Sequence, residues 1–143
     1  RQREGARLAA MVTERLDSIE GQVDSTRKLL PEILTAFRLR LESRLSEIKD
    51  SLEPGRLEQE IVIFANKSDV AEELDRLDSH ITESRHALDS GKPVGRRLDF
   101  LMQEMNREAN TLGSKSSDIR ITNASIELKV LIEQIREQIQ NIE

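Results

Sequence analysis

Leu8-Ala9-Ala10-Met11-Val12-Thr13-Glu14-Arg15-Leu16-Asp17-Ser18-Ile19-Glu20-Gly21-Gln22-Val23 decides the fold class, because its apolar residues keep to steps of three and four. A helix turns once every 3.6 residues, so these steps put Leu8, Val12, Leu16, Ile19 and Val23 on one stripe. Thr26 takes the next step and Leu30 the one after. The stripe continues through Leu34, Phe37, Leu41, Leu45, Ile48 and Leu52, with Gly21 a weak interruption. Pro31 either opens a second helix at its first turn or kinks a single one. Unbroken, the rod is a helix of about 45 residues, roughly 70 Å long.

Outward from this arm the helical period persists. Pro54-Gly55 is the clearest break. A short helix follows with Leu57, Ile61 and Phe64 inside, and Asn66-Lys67-Ser68-Asp69 reads as a turn with Ser68 or Asp69 as the next helix cap. Val70, Leu74, Leu77, Ile81, Ser84 and Leu88 form the next stripe, ended by Ser90-Gly91 and Pro93. From Arg96 a further stripe runs through Leu98, Met102, Met105, Ala109 and Leu112 and is expected to stop near Gly113. After the polar stretch Ser114-Lys115-Ser116-Ser117-Asp118, the last helix places Leu128, Ile132, Ile135, Ile139 and Ile142 four and three apart. Ile61-Val62-Ile63 is too short and lacks the alternation of a strand. The expected fold is all-α, an elongated bundle of long antiparallel helical hairpins. Residues 1–52 read as a helical arm and 53–143 as the motif-bearing helices.

Composition supports this. The 143 residues are 36% hydrophobic and 34% charged, with three Phe and neither Tyr nor Trp. That excludes a thick two-sided core and favours thin helical packing with one apolar stripe per helix. No apolar run reaches the length of a membrane span. With no cysteine, disulfides, thiolate zinc and cysteine nucleophiles are excluded, and the chain reads as cytoplasmic. It opens on Arg1 inside helical periodicity, so it is expected to be a piece of a longer polypeptide. Net charge is −5, from 22 basic and 27 acidic residues. The sign disfavours a general polyanion binder, but residues 91–120 carry an excess of base that leaves room for a local anion site.

Two constellations stand apart. On a helix, Asp69, Glu73, Arg76 and His80 line one stripe beside the apolar one. Carboxylates and an imidazole on a rigid helix suit Mn²⁺ or Mg²⁺. The plainer alternative is an exposed acidic helix with pairs such as Glu72–Arg76. The second runs from Gly95 to Ser116. There Arg97, Glu104, Glu108 and Thr111 share one edge, and Gln103, Arg107, Asn110 and Ser114 the other. These groups hydrogen-bond directionally, and arginine forks suit phosphate. A polar network buried between subunits uses the same residues. Gly113-Ser114-Lys115-Ser116 follows a helix and is a poor phosphate loop. His86 is off metal-pair spacing from His80 and reads as an exposed histidine, while Met102 and Met105 read as core filler. Without Tyr or Trp, any nucleic-acid contact rests on phosphate, sugar or shape.

With these stretches in view, the sequence resembles the C-terminal half of the YicC/YloC family of bacterial endoribonucleases. The resemblance is carried by Arg56-Leu57-Glu58-Gln59-Glu60, by Asp69 to Leu77, by Gly95 to Ser116, by Ile126 to Glu143 and, more weakly, by Arg3-Glu4-Gly5 with Leu8. It implies a metal-dependent RNA-cleaving enzyme assembled as a ring-like hexamer, with an N-terminal half that is absent here. It also implies that Asn141-Ile142-Glu143 is the natural end. Carried over residue by residue, Glu73, His80, Glu104 and Glu108 are expected to bind metal or do acid–base work. Arg96, Arg97, Arg107 and Lys115 are expected on the phosphate backbone. Gln103, Asn110 and Thr111 are expected to orient substrate. RNA and further copies of the chain are the implied partners, with no membrane and no organic cofactor. Carboxylates without a histidine pair favour metal-assisted hydrolysis over attack by the ribose 2′-hydroxyl. Two rival readings are a helical oligomerisation module without chemistry and an RNA clamp whose catalytic groups lie elsewhere.

Overall fold

A computed structural model describes residues 2–47, 53–67, 70–116 and 118–142. Among them are five helices and no strand: α1 (Gln2–Ser46), α2 (Arg56–Lys67), α3 (Ala71–Asp89), α4 (Gly95–Lys115) and α5 (Ile119–Ile142). The expected caps Ser68 and Asp69, and the stripe positions Ile48 and Leu52, lie outside the described residues, as does the side chain of Ile142.

The stripes become one core. Val12, Leu16, Ile19 and Val23 of α1 meet Leu74, Leu77 and Ile81 of α3, Leu98, Met102 and Met105 of α4, and Leu128, Ile132 and Ile135 of α5. Helices α1, α3, α4 and α5 form a closed ring of neighbours, each packed on the next. Ion pairs and hydrogen bonds between helices give the directions. Arg27 reaches Asp75 and Asp78 while Arg85 reaches Asp17, so α1 and α3 are antiparallel. Glu83 meets Arg97 and Glu73 meets Lys115, so α3 and α4 are too. Asp99–Arg136 and Ala109–Ser125 set α4 against α5, and Arg15–Gln134 and Glu32–Arg120 set α1 against α5. The result is an up-down-up-down four-helix bundle, the all-α hairpin packing that the stripes require.

Thr26 and Ser84, the two polar residues on core stripes, are fully buried. Each hydroxyl donates to the carbonyl four residues back, Gln22 and His80, at 2.7 Å. That internal bond lets a small polar residue sit in the core without an orphaned group.

Pro31 lies inside a single 45-residue α1. The buried face changes there: Ile33 is buried and Leu34 is exposed, and beyond Ile33 no described residue of α1 is buried. The first two-thirds of the expected arm therefore belong to the bundle. The remainder carries α2, held by the stacked rings of Phe37 and Phe64 with centroids 3.5 Å apart and by Arg38–Glu58. Gly55 and Gly91 take positive φ at +84° and +71°, which explains the breaks at Pro54-Gly55 and Ser90-Gly91.

Two helix ends differ from expectation. Asn66 and Lys67 continue α2 instead of turning, and α4 runs through Gly113 to Lys115. Gly113 serves close packing: a Cβ there would lie 2.7 Å from Ser125 Oγ. The Ser125 hydroxyl, buried in the seam, donates to the Ala109 carbonyl at 2.7 Å. Helix α5 starts earlier than the heptad suggested. Asp118 caps it, its carboxylate accepting from the Arg120 backbone N–H at 2.9 Å. Among the described residues, no helix is long and apolar enough to cross a membrane.

Candidate metal centre on the α3–α4 hairpin

The turn at Ser90–Val94 returns the chain so that the polar edges of α3 and α4 face one another. Their antiparallel register pairs residues in sequence. Glu83 meets Arg97 at 2.6 Å, His80 lies with Glu104 and Glu108, Arg76 reaches Glu108, and Glu73 meets Lys115 at 2.8 Å.

The centre of this ladder is His80, Glu104 and Glu108. One ligand atom of each lies within 4.8 Å of the others. Glu104 and Glu108 are one turn apart on α4, so both point the same way, and His80 comes from the facing helix. Glu108 is buried, its side chain 7% exposed; Glu104 and His80 are half-buried. Burying a carboxylate is costly unless a cation compensates it. Arg76 supplies part of that compensation, its Nη1 3.8 Å from Glu108 Oε2, while also pairing with Glu72 on its own helix. Arg107 reaches Glu104 from the exposed side at 3.7 Å. His80 Nδ1 is buried with no hydrogen-bond partner among the described residues. A histidine with a buried, unpartnered ring nitrogen, grouped with two carboxylates, is a donor set that fits a divalent ion.

The other expected site residues fall in three places. Glu73 is buried but outside this cluster; it is tied to Lys115, and its second oxygen, Oε2, is buried with no hydrogen-bond partner among the described residues. Lys115, expected on phosphate, is engaged by that carboxylate. Arg97 lies along the same groove, paired to Glu83 and 5.7 Å from the Phe100 ring centroid. Thr111, half-buried, donates to the Arg107 carbonyl. Gln103, Arg107 and Asn110 are exposed on the outer face of α4, where Gln103 donates to Asp99, and Arg96 is exposed near the helix start. Asp69 lies outside the described residues. His86 is exposed, and Met102 and Met105 are core residues, as expected. In the sequence Arg76 shares the stripe of Glu73 and His80, with nothing to single it out. Its signal is the turn it keeps ahead of His80, legible only once α3 and α4 are placed in register.

Fold and groove together define a class: an all-α module with a carboxylate–imidazole cluster on a helical hairpin. The profile of the family described as "Endoribonuclease YicC-like, C-terminal" matches residues 26–143. The chain is 51% identical over 143 residues to a protein of Haemophilus influenzae named "Probable endoribonuclease YicC", covering all of this chain and 50% of that protein. A Clostridioides difficile protein of the same name is 43% identical over 146 aligned positions, again covering the whole chain and 50% of the relative. The chain thus spans about half the length of the curated relatives it matches. It belongs to the YicC-like endoribonuclease C-terminal family.

Proposed function

We propose that this chain carries the metal-holding centre of a divalent-metal-dependent, cytoplasmic endoribonuclease, with the RNA phosphodiester as substrate and Mn²⁺ or Mg²⁺ as the ion. The observation that carries the proposal is the convergence of His80, Glu104 and Glu108, one of them buried, in a helical groove. The names borne by relatives at 43% and 51% identity support ribonuclease chemistry.

His80, Glu104 and Glu108 would hold the ion, the imidazole favouring Mn²⁺ over Mg²⁺. Such an ion supplies Lewis acidity toward water and phosphoryl oxygen. Arg96, Arg97 and Arg107, exposed along α4, bind the phosphate backbone on either side of the groove. Gln103, Asn110 and Thr111 hydrogen-bond sugar or phosphate. Glu73 and Lys115 hold α3 and α4 in register one groove segment away, a structural task in place of the ligand and phosphate tasks expected of them. The working assembly is proposed to be a ring of copies of the full polypeptide. Exposed apolar side chains on α2 (Val62, Ile63) and α5 (Ile126, Val130) support subunit contacts.

The test substitutes Glu104→Gln and Glu108→Gln in the complete natural polypeptide and follows oligomer mass, RNA binding and cleavage. Cleavage should vanish with mass and binding retained. Loss of assembly would favour an oligomerisation module, and unchanged cleavage would reject the assignment. End-group analysis should find 5′-phosphates; 2′,3′-cyclic phosphates would rule out the hydrolytic route.

A further inference from the structure

Arg76 occupies a position that its surface ion pair with Glu72 does not explain. It sits one turn before His80 on α3, with its side chain 54% exposed, and crosses the groove to the buried carboxylate of Glu108. Three other cations along the groove pair with carboxylates other than Glu108. Lys115 is held by Glu73, Arg97 by Glu83, and Arg107 touches Glu104 from a side chain 73% exposed. Among the described residues, Arg76 is the cation whose ion pair reaches the cluster's buried carboxylate from α3.

A guanidinium beside a buried carboxylate balances charge. A divalent ion on the same carboxylate does so more strongly and repels the guanidinium. An arginine with a half-exposed side chain responds by turning its fork toward the nearest anion, and its planar pair of N–H groups matches two phosphoryl oxygens. Glu72, its second partner, lies on the rim and gives the fork a resting place there.

We infer that Arg76 is the phosphate-positioning residue of this site, exchanging Glu108 for the scissile phosphate when Glu108 takes the ion. This rests on reading the cluster as an ion site. Arginine and ion then oppose one another on Glu108, but both stabilise the charge that develops on phosphate during cleavage.

The experiment compares wild type, Arg76→Ala and Arg76→Lys in the complete polypeptide. It measures Mn²⁺ affinity by titration calorimetry without RNA, then kcat and KM on an RNA oligonucleotide at saturating Mn²⁺. Arg76→Ala should bind Mn²⁺ about two- to tenfold more tightly, because a competing cation is gone. Its kcat should fall by about 10²-fold. Arg76→Lys should recover only part of kcat, having charge without the fork. Weaker Mn²⁺ binding in Arg76→Ala would mean that the arginine merely orients Glu108, and unchanged kcat would mean that it does not meet phosphate; either overturns the inference. If wild type binds no Mn²⁺, the ion-site reading falls together with it. If wild type binds Mn²⁺ and Glu108→Gln abolishes cleavage while Arg76→Ala does neither of the expected things, only the inference falls.

Discussion

The two flanks of α4 are built by opposite rules. Against α5 the closest approach is made of small residues: Ala109, Gly113 and Ser125 bring the helices so close that a Cβ on Gly113 would strike the Ser125 hydroxyl, and the Asp99–Arg136 ion pair lies at the other end of the seam. Against α3 the contact layer beside the core is made of charge: Glu83–Arg97, the His80–Glu104–Glu108 cluster with Arg76, and Glu73–Lys115. Where α4 and α5 come closest, the seam needs only shape. The seam toward α3 places two carboxylates, Glu73 and Glu108, among buried residues, where an apolar side chain of similar size would stabilise the bundle at least as well. At Glu73 that charge is balanced by Lys115, whereas at Glu108 it coincides with the metal-type cluster, which among the described residues lies on that flank alone.

The comparison breaks if substitutions on the two flanks have the same kind of effect. The largest difference is expected at Glu108. In the complete polypeptide Glu108→Gln should lower the RNA cleavage rate by about 10²-fold or more while leaving the thermal midpoint nearly unchanged. A large fall in that midpoint with proportionate loss of RNA binding would make Glu108 a structural residue.

Next in size is the Glu73–Lys115 pair, which shares the charged flank but is assigned a structural task. Lys115→Met strands a carboxylate that is only 3% exposed and should cost about 1–3 kcal/mol in urea unfolding, moderated because Lys115 itself is about a third exposed. The double variant Glu73→Gln with Lys115→Met should recover part of the loss and keep cleavage within a few-fold of wild type. Loss of cleavage in a stable double variant would return Glu73 to the site.

On the other flank, Gly113→Ala should cost about 1 kcal/mol, the clash with Ser125 exceeding the gain in helix propensity. Adding Ser125→Ala should relieve it, and Mn²⁺ affinity should not move in either variant. A Gly113→Ala protein as stable as wild type would show that the seam has slack.

The smallest effect lies at the start of α5. The Arg120 side chain donates to Asp118, and this, with the Arg120 backbone N–H, holds the Asp118 carboxyl below its ordinary value despite partial burial. A carboxyl lowered on folding contributes its full stability above the unfolded value and loses it as pH falls through the folded one. Asp118→Asn keeps a capping oxygen, so wild type should be slightly the more stable near neutrality. That margin should shrink toward zero as urea midpoints are followed down through the carboxylate range. A margin independent of pH would remove the charge from the account.

How much of this was legible in the sequence differs from element to element. Leu16, Leu74, Met105 and Ile132 announce the core because a helix repeats every 3.6 residues whatever it packs against. Gly91 announces a stop because its positive φ is a local matter. Gly113 misleads because the same residue type serves both to end helices and to let two approach; only the neighbour, Ser125, distinguishes them. The facing of Glu104 and Glu108 could be read from their spacing. Which α3 residue they meet could not, because the register between helices is set by the 90–94 turn and by the core. One helical turn of uncertainty separates Arg76 from His80, and two separate Glu73 from the cluster. Spacing along α3 alone therefore does not distinguish Glu73, Arg76 and His80 as neighbours of Glu104 and Glu108.

Titration of the complete polypeptide with Mn²⁺, monitored by calorimetry, tests the central assignment most directly. The account predicts one ion per chain for wild type and for the Glu73→Gln, Lys115→Met double variant, and binding abolished by Glu104→Gln with Glu108→Gln or by His80→Ala in protein that remains folded. Equal binding in all four proteins, or none in wild type, would contradict it.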